Sequence, residues 1–235
     1  MSGSPEQLAL GFRLRADATF GNFVVASDNA ATLHALRGWL DQSDGGIFFL
    51  FGAMGSGRSH LLQAACHSCH GSSVIYLPLA DFSESDPSLI LENLEQSQLL
   101  CFDDIDIVLN DRHWCEQIFH LCNRVFARGG KLLVSAATAP AQLDCRLEDL
   151  RSRLSWGGSF RVHALAEDDR RRVLQLRARE RGFDLPDDVA AYILSRYSRD
   201  LGALLQLLDA LDRQSLAQQK RITIPFVRQF IAPAD

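Results

Sequence analysis

The sequence predicts an α/β fold in which a parallel sheet lies between layers of helices and is followed by an all-helical region. Three observations predict this fold. Over the first two thirds of the 235-residue chain, short apolar runs alternate with helix-like segments. A glycine-rich loop joins the first of these runs to the next helix, and beyond Leu165 only helical patterns remain. Strands that alternate with helices in this way form parallel sheets with helices on both faces.

Four apolar runs bounded by turn-forming residues have the length of buried strands, and they cover residues 47–51, 74–78, 99–102 and 131–136. A fifth strand over residues 159–163 is expected to complete the sheet. Helical periodicity predicts helices over 59–70, 88–96 and 113–128, and an earlier helix that Asp28 or Ser27 caps. The helical region consists of four amphipathic segments, 167–181, 186–197, 200–219 and 225–231. We therefore divide the chain into a tail (1–18), an α/β base (19–164) and a helical lid (165–235).

Charge, hydropathy and cysteine content exclude several classes of protein. The net charge of −5 argues against a protein that coats nucleic acid, because such binding is driven by neutralising phosphates. No run approaches the ~18 apolar residues of a membrane helix, and the amino terminus lacks a secretion signal. We therefore expect a cytoplasmic protein without a membrane partner, whose six cysteines are reduced and mostly buried thiols.

The glycine-rich loop GAMGSGRS, from Gly52 to Ser59, has the spacing of a phosphate-binding loop. Between a strand and a helix, its glycines let backbone N–H groups converge on phosphate, and the helix adds the positive end of its dipole. Arg58 stands where the hydrolysing form of the loop has lysine. The plainer alternative is a tight turn that binds nothing. From this loop we assign to nucleotide binding Gly52, Gly55, Ser56, Gly57, Arg58, Ser59 and His60.

Two acidic residues, Asp103 and Asp104, end the buried strand in LLCFDD. In phosphate-loop proteins the first acid orients Mg²⁺, which assigns Asp103 to the nucleotide site and, with the hydroxyl of Ser59, to a magnesium site. The next residue is usually a glutamate that polarises the attacking water, and Asp104 is one methylene shorter. Arg58 keeps the positive charge over the phosphates, but its fork is broader than an ammonium group. We therefore expect a bound ADP-like diphosphate and a weak or absent ATPase activity of the chain itself.

The glycine loop and paired acids, together with LRSRLSWG (150–157) and SRDLGALL (198–205), resemble an AAA+ module of the DnaA replication-initiator family. The resemblance covers residues 19–232. It implies that Phe20, Phe23 and Val24, in TFGNFVV, lie over the nucleotide base. It also implies that Arg199 reaches the phosphates from the lid, and that Arg153 is an arginine finger directed at a nucleotide on a neighbouring subunit.

The resemblance also implies partners. DnaA continues into a helix-turn-helix domain, whereas this chain ends at Asp235. The tail segment QLALGF is similar to the peptide that binds the sliding clamp of DNA polymerase, with Gln7, Leu8, Leu10 and Phe12 as its contacts. These features imply a regulator that, with the DNA-loaded clamp, makes DnaA hydrolyse its ATP and prevents replication from re-initiating. Strong direct DNA binding is not expected, and a homodimer stays open.

Several residues keep a plainer interpretation. Arg151 and Arg153 could form one solvated face, and the six arginines between 170 and 181 favour a solvated lid helix over a binding patch. CHSCH (66–70) matches a haem-attachment pattern, but it lies in a helix and no second pair completes a zinc site, so Cys66 is expected in the core. For the whole chain, the rivals are an autonomous ATPase, and a nucleic-acid-binding or replication-loading adaptor that acts without the clamp.

Overall fold

The computed structural model describes residues 14–15, 18–25, 27–69, 73–197 and 201–231. Within these ranges five strands form one sheet in the order β2-β3-β4-β1-β5, and every neighbouring pair is parallel. The strands are β1 (Gly46–Phe51), β2 (Val74–Pro78), β3 (Leu99–Asp103), β4 (Lys131–Ala136) and β5 (Gly158–Arg161). The sheet confirms the predicted α/β class, although the last strand ends two residues before the predicted position.

Helices cover both faces of the sheet and form the lid. The base contains α1 (Ala30–Asp41), α2 (Arg58–Ser68), α3 (Pro87–Ile90), α4 (Arg112–Ala127) and α5 (Glu148–Leu154). The lid contains α6 (Glu167–Glu180), α7 (Asp187–Arg196), α8 (Leu201–Gln218) and α9 (Ile224–Val227). Among the described residues, none of these helices has the length and hydropathy needed to cross a membrane.

The side chains of β1 alternate between two cores, as the pleat of a strand requires. Phe48 and Leu50 pack with Leu36 and the other apolar residues of α1 and α2. Phe49 packs on the opposite side with Trp114 and the apolar residues of α4 and α5. Because helices bury the central strands on both faces, β1, β3 and β4 consist of nearly continuous apolar runs, which is why the sequence indicated them, whereas β5 is mostly exposed.

The lid has a separate hydrophobic core, to which each of its helices contributes. Leu174, Ile193, Leu208 and Val227 are all buried within it. Val24, which precedes α1 in the base, packs against the same core. The segment that enters the base therefore also contacts the lid.

The helix predicted over 88–96 is wrong. Asp86 caps a short helix by accepting a hydrogen bond from the Ser88 N–H at 2.9 Å, but this helix ends at Ile90. Asn93 has a left-handed backbone with φ 60°, and a single 3-10 turn follows over Leu94–Gln96. Asparagine tolerates this conformation better than most residues, so the chain turns where periodicity alone indicated a continuous helix.

The predicted cap of the first helix is also wrong. A 3-10 turn over Ser27–Asn29 precedes α1, and Asn29 occupies the cap position without capping through its side chain. Its amide instead donates to the His163 carbonyl at 3.0 Å and accepts from the His163 N–H at 2.8 Å. This buried pair joins the start of α1 to the segment after β5.

All strands of the parallel sheet end on one side, which we call the carboxyl edge, and begin on the other side, which we call the amino edge. Functional residues can gather at either of them. The glycine loop follows the carboxyl end of β1, and Asp103 ends β3 at the same edge. Ligands of open α/β sheets bind at this carboxyl edge. Gly45 and Gly157 immediately precede β1 and β5, so they lie at the opposite, amino edge.

Candidate functional site

The glycine loop requires glycine at two positions for different reasons. Gly57, directly before α2, has φ 100°, and a Cβ there would lie 2.9 Å from the Phe23 ring. A Cβ on Gly52 would lie 2.2 Å from the Val162 carbonyl oxygen. The loop therefore lies between Phe23, in the segment before α1, and the Val162 backbone after β5. Neither glycine position has room for a side chain.

A pocket of about 240 Å³ lies between the base and the lid, beside the glycine loop. Of the residues assigned to nucleotide binding, the pocket is lined by Phe23, Val24, Gly55, Ser56, Gly57, Arg58, Ser59 and His60. Phe20, Gly52 and Asp103 do not line it. The ring of Phe20 instead lies 5.0 Å from the guanidinium carbon of Arg37.

Ser56 provides the clearest sign that the loop suits a phosphate. Its hydroxyl is buried and has no hydrogen-bond partner among the described residues. Ser56 also lines the pocket, where the amino end of α2 begins. A buried hydroxyl without a partner is costly, and a phosphate oxygen at this place would satisfy it together with the first backbone N–H groups of α2. The loop therefore fits the phosphate groups of a nucleotide.

Arg58 contacts the loop and the acid at the end of β3. Its Nη1 donates to the Gly52 carbonyl at 2.8 Å, and its Nη2 pairs with Asp104 Oδ1 at 2.7 Å. The arginine side chain is only 9% exposed. Burial raises the pKa of Asp104, as does neighbouring Asp103, whereas Arg58 opposes the rise. Arg58 thus neutralises the acid that follows β3.

Asp103 lies behind the pocket, with hydroxyl groups on both of its carboxylate oxygens. Tyr76 donates to Oδ2 at 2.6 Å, and the Ser135 hydroxyl donates to Oδ1. Ser135 in turn accepts from the Asp104 N–H at 2.9 Å. The pKa of Tyr76 is raised, mainly by burial and also by the carboxylate of Asp103. This network fixes the carboxylate, while the magnesium site of Ser59 and Asp103 stays a prediction.

The described residues contain no cluster of three or more histidine, cysteine or acidic side chains placed to hold a metal ion. All six cysteines are free thiols, as predicted, and Cys66 is buried in the core. A nucleotide-associated Mg²⁺ would not need such a cluster, because phosphates and water supply most of its ligands.

Sequence reasoning missed Arg177 of α6, which lines the pocket. It is 2% exposed, pairs with Glu180 at 2.9 Å and has a nitrogen 3.5 Å from His60 Nδ1. The interpretation of all the α6 arginines as solvated is therefore wrong for Arg177. Helical spacing could have indicated that Arg177 is buried, because it follows Val173 by four residues on the buried face of α6.

Arg153 lies at the opposite edge of the sheet. Its guanidinium carbon is 4.2 Å from the ring centroid of Trp156. It lines a cavity of about 490 Å³ together with Gly45 and Gly157, which mark the amino edge. Arg151, two residues earlier, is instead paired with Glu148 at 2.6 Å. The two arginines do not form one solvated face, because one is paired with a carboxylate and the other lies against an aromatic ring.

Some assigned residues lie outside the described part of the chain. These are the clamp-binding residues of the tail and the lid arginine, namely Gln7, Leu8, Leu10, Phe12 and Arg199. Their assignments stay predictions.

Two families match most of the chain between them. Residues 14–161 match the bacterial DnaA ATPase domain, and residues 167–231 match the family described as Hda, lid domain. The match to the ATPase domain alone spans more than half of the sequence.

Several solved structures have a similar fold. Domain III of Thermotoga maritima DnaA aligns with a TM-score of 0.80 and 20% identity, over 94% of this chain and 100% of that chain. AMPPCP-bound DnaA from Aquifex aeolicus gives 0.67 and 22%, over 88% and 71%. The Thermotoga maritima RuvB branch migration motor gives 0.59 and 16%, over 83% and 67%. These likenesses confirm the predicted AAA+ fold with its helical lid.

Proposed function

This chain belongs to the family of the bacterial DnaA ATPase domain and carries an Hda-type lid, and we propose that it regulates DnaA. In this proposal the chain holds an ADP-like diphosphate in its own pocket. With the sliding clamp loaded on DNA, it stimulates hydrolysis of the ATP bound to DnaA. DnaA is thereby inactivated, and replication does not re-initiate.

The position of Arg153 carries the proposal. Among the described residues no carboxylate pairs with Arg153, whereas Arg151 on the same helix is paired with Glu148. Arg153 lies at the amino edge of the sheet and the glycine loop at the carboxyl edge. At about 3.3 Å per residue, the six residues of β1 separate these edges by roughly 17 Å. This separation supports action on a nucleotide held by a partner rather than by the chain itself.

For the hydrolysis of DnaA-bound ATP, the chain needs to supply little more than one positively charged side chain in the right position. Water attacks the γ-phosphorus of ATP, the bond to the β–γ bridging oxygen breaks, and ADP and phosphate leave. Negative charge is spread over the transferred phosphoryl oxygens in the transition state. A guanidinium placed beside these oxygens stabilises that charge and accelerates such reactions by about 10³ to 10⁵ in the GTPases where it has been measured.

The chain's own nucleotide site is proposed to hold rather than to hydrolyse. The Ser56 hydroxyl and the backbone N–H groups from Gly57 to Ser59 would hold the phosphates, and Phe23 and Val24 would contact the base. The ion pair between Arg58 and Asp104 supports slow turnover of ATP. Asp104 stands where hydrolysing relatives have the glutamate that polarises the attacking water, and the pair neutralises its charge. A bound diphosphate would then stabilise the base and lid together without being consumed.

Reconstitution with DnaA tests the proposal. DnaA–ATP is incubated with the chain, with and without DNA-loaded clamp, and phosphate release is followed. We expect release that depends on the clamp, is lost in Arg153→Ala and is retained in Arg151→Ala, the matched control on the same helix. Replacing both Gln7 and Leu10 with Ala is expected to abolish clamp pull-down. Stimulation that survives in Arg153→Ala would refute the proposal, and stimulation without the clamp would favour the adaptor that acts alone.

A further inference from the structure

Three aromatic rings, from Phe119, Phe126 and Trp156, surround the guanidinium of Arg153. We call them the aromatic cage. The guanidinium carbon lies 4.2 Å from the Trp156 centroid, 5.7 Å from that of Phe119 and 5.8 Å from that of Phe126. The two phenylalanines are seven residues apart on α4, and so lie on one side of that helix. The tryptophan lies two residues after the end of α5 and approaches the guanidinium from that side.

A cage of rings restrains an arginine without occupying its hydrogen-bond donors. The faces of the rings attract the cation when it lies within about 6 Å. They supply no strong acceptor, so the five N–H donors stay available to an incoming anion. An unrestrained arginine loses up to about 2 kcal/mol of rotamer entropy when it is fixed. A caged arginine has lost part of this freedom before a partner arrives.

Trp156 differs from the two phenylalanines because it is not part of the core. Its side chain is 71% exposed, although a tryptophan that served only packing would be buried. The residue after it fixes its backbone. A Cβ on Gly157 would lie 1.9 Å from the Ile47 carbonyl oxygen, so only glycine allows this close approach to β1. The backbone that carries the exposed indole is therefore fixed beside β1, and the centroid of the ring lies 4.2 Å from the Arg153 guanidinium carbon.

We propose that Trp156 is a positioning residue for Arg153, holding the guanidinium with its donors directed toward a phosphate group of the partner. The proposal rests on the role of Arg153 in the proposed function. The neighbouring cavity, which is lined by glycines at the amino edge, gives that phosphate room to approach. Trp156 need not touch the phosphate, and it acts by reducing the freedom of the arginine.

Stimulated hydrolysis of DnaA–ATP is measured over a range of concentrations of the chain. For Trp156→Ala we expect the saturated rate to fall about tenfold, with the half-saturating concentration changed less than about twofold. Trp156→Phe, which keeps a ring face, should restore most of the rate. Leu216→Ala is the matched control, because Leu216 is a 72% exposed apolar side chain of the lid. An unchanged saturated rate in Trp156→Ala overturns the proposal.

A second measurement detects the cage without any partner. In the isolated chain labelled with ¹⁵N-arginine, ring currents should displace the Nε–H signal of Arg153, and this displacement should become clearly smaller in Trp156→Ala, which leaves only the two more distant phenylalanine rings. A signal unchanged by the substitution overturns the proposal. If Arg153→Ala abolishes stimulation while Trp156→Ala does not, the proposed function stands and the positioning role falls. If Arg153→Ala leaves stimulation intact, the proposed function falls, and the Nε–H signal still decides whether the cage forms.

Discussion

Arg58 and Asp104 form an ion pair of 2.7 Å beside the nucleotide pocket, which both residues line. The second branch of the guanidinium donates to the Gly52 carbonyl at 2.8 Å. One fork thus joins the start of the glycine loop to the end of β3. Asp104 has a left-handed backbone with φ 53°, which aspartate tolerates and which the ion pair helps to maintain. The site differs from a hydrolysing site at two positions, with arginine for lysine and aspartate for glutamate, and these two residues contact each other.

The first prediction concerns the variant that reverses both differences. Replacing Arg58 with Lys and Asp104 with Glu should raise the chain's own ATP turnover by on the order of tenfold or more. A lysine ammonium has no fork with which to reach both Gly52 and residue 104, and a glutamate there extends further toward a water beside the phosphates. Steady-state phosphate release without any partner measures this change.

The two single substitutions are the controls for this experiment. Each restores only one of the two features, so each should gain less than the double variant does. Wild-type turnover at ordinary AAA+ rates would contradict the interpretation of Arg58 and Asp104 as a non-hydrolysing pair.

The second prediction concerns Gly57. Gly57→Ala should weaken binding of a fluorescent ADP analogue by at least about tenfold, because the new Cβ is strained at φ 100° and meets Phe23 at 2.9 Å. Gly38→Ala is the matched control, since a Cβ at that position in α1 has no neighbour within 4 Å. It should leave affinity unchanged and stabilise the chain by about 0.5–1 kcal/mol. Equal affinities for the two variants would exclude a phosphate site at the loop.

The sequence predicted what depends on local periodicity and missed what depends on contacts between distant segments. Strands buried on both faces are nearly continuous apolar runs, so the order of elements and the glycine loop could be identified. The hydroxyls on Asp103 come from Tyr76 and Ser135, on the two strands that flank β3. No local pattern encodes such a contact. Nor does the spacing in LRSRL reveal that Arg151 is paired with a carboxylate whereas Arg153 is caged.

The third prediction uses the alkaline titration of Tyr76. The pKa of this hydroxyl is raised above its usual value of about 10 by burial and by Asp103. Above pH ~10 the folded state therefore keeps a proton that the unfolded state loses, and stability falls as pH rises. Tyr76→Phe removes this contribution, of up to about 1.4 kcal/mol per pH unit, so its free energy of unfolding should depend less on pH above 10. Urea unfolding between pH 9 and 11 measures the difference.

Two further outcomes test the role of Tyr76. At pH 7 Tyr76→Phe should be destabilised by about 1–3 kcal/mol, because one oxygen of the buried Asp103 loses its donor. Tyr192→Phe is the matched control, since no carboxylate accepts from the Tyr192 hydroxyl within the described segments. An alkaline slope that is the same in Tyr76→Phe and the wild type would contradict the assigned cause.

The last prediction is that Cys145 is the first thiol to be alkylated. It is half-buried, and its sulfur lies 3.8 Å from that of Cys115, whose hydrogen bond lowers the pKa of Cys145 to about 7. Cys69 is also partly exposed, but burial raises its pKa, and Cys101 and Cys122 are buried with raised pKa values. Because the thiolate is the nucleophile, limiting iodoacetamide at pH 7.5 should label Cys145 several-fold faster than Cys69, as read by peptide mass spectrometry. Cys115→Ala removes this sulfur contact and should move the midpoint of the rate–pH profile of Cys145 upward. Labelling of Cys69 at an equal rate, or an unmoved midpoint, would show that the hydrogen bond does not set this reactivity.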